Sequence, residues 1–362
     1  MLFYAFEEFV EELKRISRSK KIYIWGAGLY GDLLGQFLDS KQIGWCGYYE
    51  NHVTDEIKIL NGKEVIAGTA ADADPEKVYV LSMRNYGPVE EQLIAEGVSE
   101  NDIFAFGAVD VFDKLEESII NHKEFSAQIK KFHHIHKGES CFVIGNGPSL
   151  TGEDLEEIHR NGMVSFACNY IYRAYDQVSW RPDYYFMIDA GAIVTIIDQL
   201  AYISENCKYM FSRSNGRLRE YADQISNLRL FKSVFSASEE QVSFSSDCSE
   251  HLYIGHTVTY AMLQFAVYMG FKNIYLLGID HRYAVEYVGG KKRVNNVKNH
   301  SSILSEGADV SGSLLIDKTT FAYEAAKRYA DAHGVNIYNA TRGGKLEVFE
   351  RVEFDQVFHE SL

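Results

Sequence analysis

Residues 141–150 read CFVIGNGPSL. Four apolar residues, the mark of a buried strand, run straight into Gly145, Asn146, Gly147, Pro148 and Ser149. Two glycines, an amide and a hydroxyl at a strand end make either an ordinary turn or a cradle for the phosphates of a nucleotide. Other apolar runs stop the same way. MVSFAC ends at Asn169, DYYFMI at Asp189, KYMFS at Arg213, and NIYLL at Gly278 and Asp280, with His281 beside them. In parallel sheets ligands bind outside the carboxyl ends of the strands, so this set points to one site assembled from several strands.

A second glycine cluster lies near the start, in KIYIWGAGLYGDLLGQFLDS. A strand meets Gly26, Gly28 and Gly31 and then a helix, the context that gives GxGxxG its meaning. The first glycine permits the tight turn, the second the approach of a pyrophosphate, the third close packing of helix on strand. Glu50 ends the next strand, where an acid could hold a ribose. The same pattern also serves as a plain strand-to-helix turn, so cofactor binding and a docking or regulatory role both stay open.

Short apolar strands alternate with helical segments along the whole chain, which makes the fold class α/β: two Rossmann-like domains, each a mainly parallel sheet flanked by helices. The expected organisation is a small nucleotide-binding-type domain over 1–110, a connecting helix over 111–137, a larger catalytic domain over 138–345 and a tail over 346–362. In the first domain the strands expected are Ile22 to Trp25, IGWCGYYEN, Val78 to Met83 and Ile103 to Ala108, with a short helical segment around 67–76. His133, His134 and His136 fall on the connecting helix. Adjacent histidines point to different sides of a helix, so they read as solvated surface and not as a chelate.

At 362 residues and 46% apolar composition, the chain can bury a large core. Its net charge of −15 argues against non-specific nucleic-acid binding, which needs a basic surface. Five scattered cysteines show neither CxxC nor metal-ligand spacing and suit a reducing cytoplasm. No stretch reaches the roughly 18 apolar residues of a membrane span. The expected location is cytoplasmic, with peripheral contact at the inner membrane face left open. So is a homo-oligomer. The amphipathic tail EVFERVEFDQVFHESL could meet a partner, a membrane or its own domain.

VIGNGPSL followed by FACNYIY resembles the opening of the small bacterial sialyltransferases, glycosyltransferase family 42. It also resembles the wider MptE-like group (domain of unknown function 115), which includes 6-hydroxymethylpterin diphosphokinases and flagellin-glycosylating motility accessory factors. GHTVTYAMLQFAVYMGFKNIYLLGIDHRY, Gly255 to Tyr283, is similar to the sialyltransferase segment that runs from a Thr/Ser-Gly helix start to a Gly-Ile-Asp strand end. FAYEAAKRYADAHGVNIYNAT matches the last helix and strand. The first domain resembles the small modules appended to bacterial sugar-modifying enzymes. The resemblance implies that Gly145, Asn146, Gly147 and Ser149 sit at the donor nucleotide, that Asn169 hydrogen-bonds it, and that Thr257 and Thr259 face the same cleft. Physics is compatible: Thr257 could open a helix whose free N–H groups attract an anion. As a plain cap it would look the same.

The chemistry departs from that pattern. The family places a histidine base just before the last helix, where this chain has Asp317. The candidate bases are therefore His300, His281 and the Asp317 carboxylate, since a base must lie within hydrogen-bond reach of the acceptor hydroxyl. Tyr283 and Tyr287 would help the leaving phosphate depart. Lys291, Lys292, Arg293 and Lys298, read as a loop, could meet donor phosphates or form a solvated charge run.

Three functions follow. The leading one is a glycosyltransferase using a CMP-linked nonulosonate donor and a glycan or glycoprotein acceptor, with no metal or cofactor required. The second is an MptE-like diphosphokinase with ATP and Mg²⁺, the metal on Asp189 and Asp280. The third is a catalytically silent binder of nucleotide sugars.

Overall fold

The computed structural model describes residues 2–3, 5–51, 59–83, 85–106, 109–236, 238, 240–282, 285–288, 291–294, 301–304 and 316–359. The chain divides into two compact units, Met1–Asn121 and His122–Leu362. Both are α/β, with mainly parallel sheets flanked by helices.

The first unit is built on β1 (Leu2–Phe3), β2 (Lys21–Trp25), β3 (Gly47–Glu50), β4 (Ile59–Leu60), β5 (Lys63–Ala67), β6 (Lys77–Leu81) and β7 (Ile103–Phe106). Their spatial order is β1-β7-β6-β2-β3-β5-β4, and all pairs are parallel except β4 with β5. Seen from β5, the five inner strands follow the 3-2-1-4-5 arrangement of a Rossmann sheet, with the chain reversing direction of travel between β2 and β6. Helix α1 (Phe6–Ile16) turns Phe9, Leu13 and Ile16 inward at helical spacing. Helices α2 (Leu29–Ser40), α3 (Gly87–Ala95) and α4 (Val109–Ile119) complete the unit. The helical segment expected at 67–76 is not there. KEVIA is β5, followed by one 3-10 turn at Gly68–Ala70. Beyond that turn Asp74 accepts from Glu76 N–H at 2.9 Å, a local bond that competes with helix formation, and Pro75 offers no N–H.

The second unit carries β8 (Ser140–Ile144), β9 (Val164–Cys168), β10 (Tyr184–Phe186), β11 (Tyr209–Arg213), β12 (Leu228–Phe231), β13 (Ser233–Val234), β14 (Leu252–Tyr253), β15 (Asn273–Leu277), β16 (Val285–Val288), β17 (Lys291–Val294), β18 (Asn336–Asn339) and β19 (Glu350–Arg351). Eight form a parallel sheet in the order β12-β11-β10-β9-β8-β15-β18-β19. Side chains alternate across it: Cys141 and Val143 enter one core, Phe142 and Ile144 the other. The first core is closed by α9 (Val258–Tyr268), buried nearly all round, and by α10 (Ile316–His333). The second is closed by α6 (Gly152–Arg160), α7 (Ala190–Ile196) and α8 (Leu200–Glu205). β13 pairs with β14, and β16 with β17 as a hairpin.

Three sequence expectations change. The stretch 111–137 is two helices, α4 and α5 (His122–Ile129), followed by a 3-10 turn at Lys130–Phe132. One apolar period served two cores: Phe112 meets Tyr30 and Phe106, whereas Phe125, Ile129 and Phe132 pack into the second unit. The histidines follow that helix in a turn, so the helical argument for them fails. His133 and His134 stack, and His136 bridges Glu139 and the Tyr184 hydroxyl. Lys291, Lys292 and Arg293 stand on strand β17 and not in a loop. The tail packs on its own unit, β19 extending the sheet and Phe354 meeting Phe142. Among the described residues no helix is long and apolar enough to cross a membrane.

Candidate functional site

The larger sheet reverses its order between β8 and β15, the place where open α/β sheets bind ligands. Gly145 follows β8 and Gly278 follows β15. The two loops interlock: Gly145 N–H donates to the Leu277 carbonyl and Gly147 N–H to the Gly278 carbonyl, both at 2.8 Å. A Cβ on Gly147 would lie 2.1 Å from Asp280 Oδ2 and 2.6 Å from the Gly278 carbonyl. The Ser149 hydroxyl donates to the same Asp280 oxygen at 2.8 Å. Sequence reasoning assigned Gly147 and Ser149 to a phosphate; here both fit themselves to Asp280.

Above this junction lies a cavity of about 550 Å³. Gly145, Asn146, Gly147, Asn169, Asp189 and Arg213 line it, together with Thr257, Thr259, Gly278, Asp280 and His281. The polar strand ends predicted from sequence thus meet around one space. Asp189 caps α7, its Oδ1 accepting from Ala192 N–H at 2.8 Å. Thr257 caps α9, its hydroxyl accepting from Thr259 N–H at 3.3 Å. That helix start faces the cavity through Thr257, Val258 and Thr259, which supplies the partial positive charge of a helix N-terminus.

Among the buried polar atoms of lining residues, Asn146 Oδ1, Asn169 Oδ1 and Ser233 Oγ have no hydrogen-bond partner among the described residues. Asn146 is oriented by its own amide, which donates to the Cys168 carbonyl at 3.1 Å. Its oxygen is therefore the orphan. Buried acceptors without donors cost about 1–3 kcal/mol each and call for an explanation. Three lining residues, Asn169, His256 and His281, also have left-handed backbone at φ of 50°, 57° and 50°. Such conformations concentrate at functional sites.

His281 Nε2 lies 2.8 Å from the Thr320 hydroxyl on α10. Of the other candidate bases, His300 lies outside the described residues; so do Tyr283, expected at the leaving phosphate, and Lys298 of the basic run. Tyr287 lies on β16 and Asp317 on α10, where the backbone alone is described. Ser301, which follows His300 in sequence, donates its N–H to the Asn146 carbonyl at 3.0 Å. Cys168 also lines the cavity, but burial pushes its thiol up to about 12, so no thiolate nucleophile is available there. Sequence reasoning missed the apolar wall opposite, formed by Phe231, Leu252, Tyr253 and Ile254. Its one signal was position: LRLF and HLYI each end beside a polar or glycine turn. Gln264, fully buried, holds that wall by accepting from Ser245 and Tyr253 N–H and donating to the Tyr253 and Tyr260 carbonyls.

In the first unit the loop from Gly26 to Gly31 lies at the β2/β6 reversal. Its geometry is tight: a Cβ on Gly31 would lie 1.8 Å from the Gly26 carbonyl. Gly28 is open, with nothing within 4 Å of a Cβ. Ser82 braces the turn by donating to the Trp25 and Gly26 carbonyls. Glu50 does reach this loop, but its carboxylate accepts from Ala27 N–H at 3.0 Å. A carboxylate therefore holds a backbone N–H of the glycine loop that an anionic ligand would use.

The family model described as 6-hydroxymethylpterin diphosphokinase MptE-like matches residues 116–286. That span takes in the GNGPSL loop, Asn169, Asp189, the α9 start and Asp280. No curated protein matches the chain. The solved "Structure of MAf glycosyltransferase from Magnetospirillum magneticum AMB-1" is similar at 14% identity and a TM-score of 0.41, over 97% of this chain and 62% of that one. This chain spans less than two thirds of that protein's length, and a likeness of that degree carries no argument about activity.

Proposed function

We propose that the cavity at the β8/β15 reversal holds a nucleotide-activated sugar and that the chain is a glycosyltransferase, with a CMP-linked nonulosonate as donor and a glycan or glycoprotein hydroxyl as acceptor. The observation that carries this reading is the pair of buried amide oxygens, Asn146 Oδ1 and Asn169 Oδ1, that have no hydrogen-bond partner among the described residues at the switch point of the sheet. Acceptors of that kind suit the amino group of a cytosine or the hydroxyls of a ribose. The α9 start faces the donor phosphate, and Arg213 adds positive charge to the same space. The MptE-like match supports a transferase of this superfamily.

In the reaction, the bond between the anomeric carbon and the phosphate oxygen breaks, and its electron pair leaves with the nucleotide. The acceptor oxygen forms the new bond to carbon, and its proton passes to a base. We assign that base to His281. In the tautomer whose Nε2–H donates to the Thr320 hydroxyl 2.8 Å away, the ring's lone pair is on Nδ1. Tyr283 and Tyr287 are proposed to stabilise the departing phosphate. A thermal-shift series with CMP, UDP, GDP, ATP and NAD tests the assignment. The expected result is stabilisation by the cytidine nucleotide that Asn146→Ala abolishes.

The description of the matching family favours a second reading, diphosphate transfer from ATP with Mg²⁺. Asp189 and Asp280 line the cavity and would supply the metal's carboxylates, although one oxygen of each is already held, by Ala192 and Ser149. Stabilisation by ATP with magnesium alone, lost on adding EDTA, would select this reading over the first.

A further inference from the structure

His281 belongs to two cavities. The second, of about 600 Å³, runs from His281 and Thr320 along one face of α10. Thr320, Glu324, Arg328 and Asp331 recur there at helical spacing. The opposite wall is the segment 345–348, tied to the strand end itself: Lys345 N–H donates to the Asp280 carbonyl at 2.8 Å. The groove is thus built onto the same turn that carries His281.

Its charges are unevenly satisfied. Lys327 pairs with Asp331 at 3.0 Å, and Glu347 with Arg351 at 2.8 Å. Arg328, Lys345 and Glu324 have no ion pair among the described residues. The three cations and three acids that line the groove balance in number, but Arg351, outside it, takes up Glu347 and leaves Arg328 and Lys345 against Glu324 alone. On a chain of net charge −15, a positive surplus of that kind runs against the background.

We propose that this groove is the acceptor subsite and takes a sugar chain bearing an acidic group, a carboxylate or a phosphate. Arg328 and Lys345 meet the acidic group, and Glu324 accepts from sugar hydroxyls. The acceptor then reaches His281 from the α10 side while the donor fills the first cavity. The inference rests on the glycosyltransferase reading, and the test separates the two.

Saturation-transfer NMR on the full chain would compare three probes: the methyl glycoside of N-acetylneuraminic acid, galactose 6-phosphate and neutral methyl galactoside. Both acidic probes, or one of them, should bind wild type more tightly than the neutral sugar; which one binds tells carboxylate from phosphate. The double substitution Arg328→Glu with Lys345→Glu should weaken acidic-probe binding at least tenfold and leave CMP binding within twofold. Asn146→Ala should do the reverse. Acidic binding that survives the charge reversal, or no preference for the acidic probes in wild type, overturns the groove assignment. If CMP fails to bind wild type while the charge reversal still removes the acidic probe, the groove stands as an anionic-sugar site and the donor reading falls. Circular dichroism of both variants excludes misfolding as the cause.

Discussion

Gly147→Ala separates two explanations of the glycine in GNGPSL. If the glycine is there to let a phosphate approach, alanine weakens nucleotide binding and leaves the apoprotein as stable as before. The structure predicts otherwise. A Cβ would sit 2.1 Å from Asp280 Oδ2 and 2.6 Å from the Gly278 carbonyl, so to reach ordinary contact the carboxylate must retreat by at least about 1.3 Å and the carbonyl by about 0.8 Å. Overpacking of this kind costs roughly 1–3 kcal/mol. Moving the carboxylate also strains the 2.8 Å bond from Ser149, of a type worth about 1.5–3 kcal/mol. The expected loss is about 3–5 kcal/mol, or a fall near 10 °C in the transition of a unit this size. Calorimetry on the full chain, without ligand, reads it. The partner substitution Asp280→Ala removes the nearer obstacle, so Gly147→Ala should cost about 1–3 kcal/mol less in that background than in wild type. An apoprotein transition within about 1 °C of wild type, or strict additivity in the double mutant, would refute the close-approach argument.

Gln264→Leu should cost about 2–4 kcal/mol, since it leaves two backbone N–H groups and two carbonyls without their buried partner; chemical denaturation measures it. Burial lowers the His251 pKa from its ordinary value, so the unfolded chain binds the proton more readily. The stability cost is absent well above the unfolded value of about 6.5 and grows as pH falls below it, and His251→Gln should flatten the pH dependence of the melting temperature below about pH 6.5. Glu50→Ala should release Ala27 N–H and allow pyrophosphate to stabilise the chain by a measurable thermal shift that wild type lacks; equal shifts in both would show that the carboxylate does not guard the glycine loop.

Most of the parallel strands, β2, β6 to β11 and β15 among them, were legible because each is a short apolar run that ends near a turn residue, and burial on both faces demands such runs. The pieces that escaped are those whose pattern is set from elsewhere. β1 and β4 are two residues long, too short to show a period. The stretch 67–76 reads as a short helix until Asp74 is seen to take the Glu76 N–H in a local turn. The break between α4 and α5 is invisible in a continuous helical period, since the residues before and after it serve different cores. The tail's amphipathic pattern announced a buried face without saying what covered it; Phe142 and Phe358 around Phe354 do.

For the site, residue types were legible and their partners were not. Polar strand ends converge because a parallel sheet aligns all its carboxyl edges, so Asn146, Asn169, Asp189 and Asp280 could be gathered from spacing alone. What each does depends on neighbours more than a hundred residues away in some cases. Ser149 looks like a phosphate ligand in sequence and turns out to hold Asp280. His281 looks like one histidine among several, yet it has a left-handed backbone, a bond to Thr320 and a place on the walls of two cavities. A non-glycine residue at positive φ costs about 1–3 kcal/mol and survives where its surroundings over-determine it. Histidine has no particular affinity for that conformation comparable to glycine's, and glycine at position 281 would relieve the strain. That a histidine stands at this turn, on the walls of both cavities, is the reason for the proposal that the acid–base step occurs there, and His281→Gly tests it directly. The variant should be as stable as wild type or more so, bind CMP, and lose transfer. Loss of stability would show that the imidazole serves the fold instead.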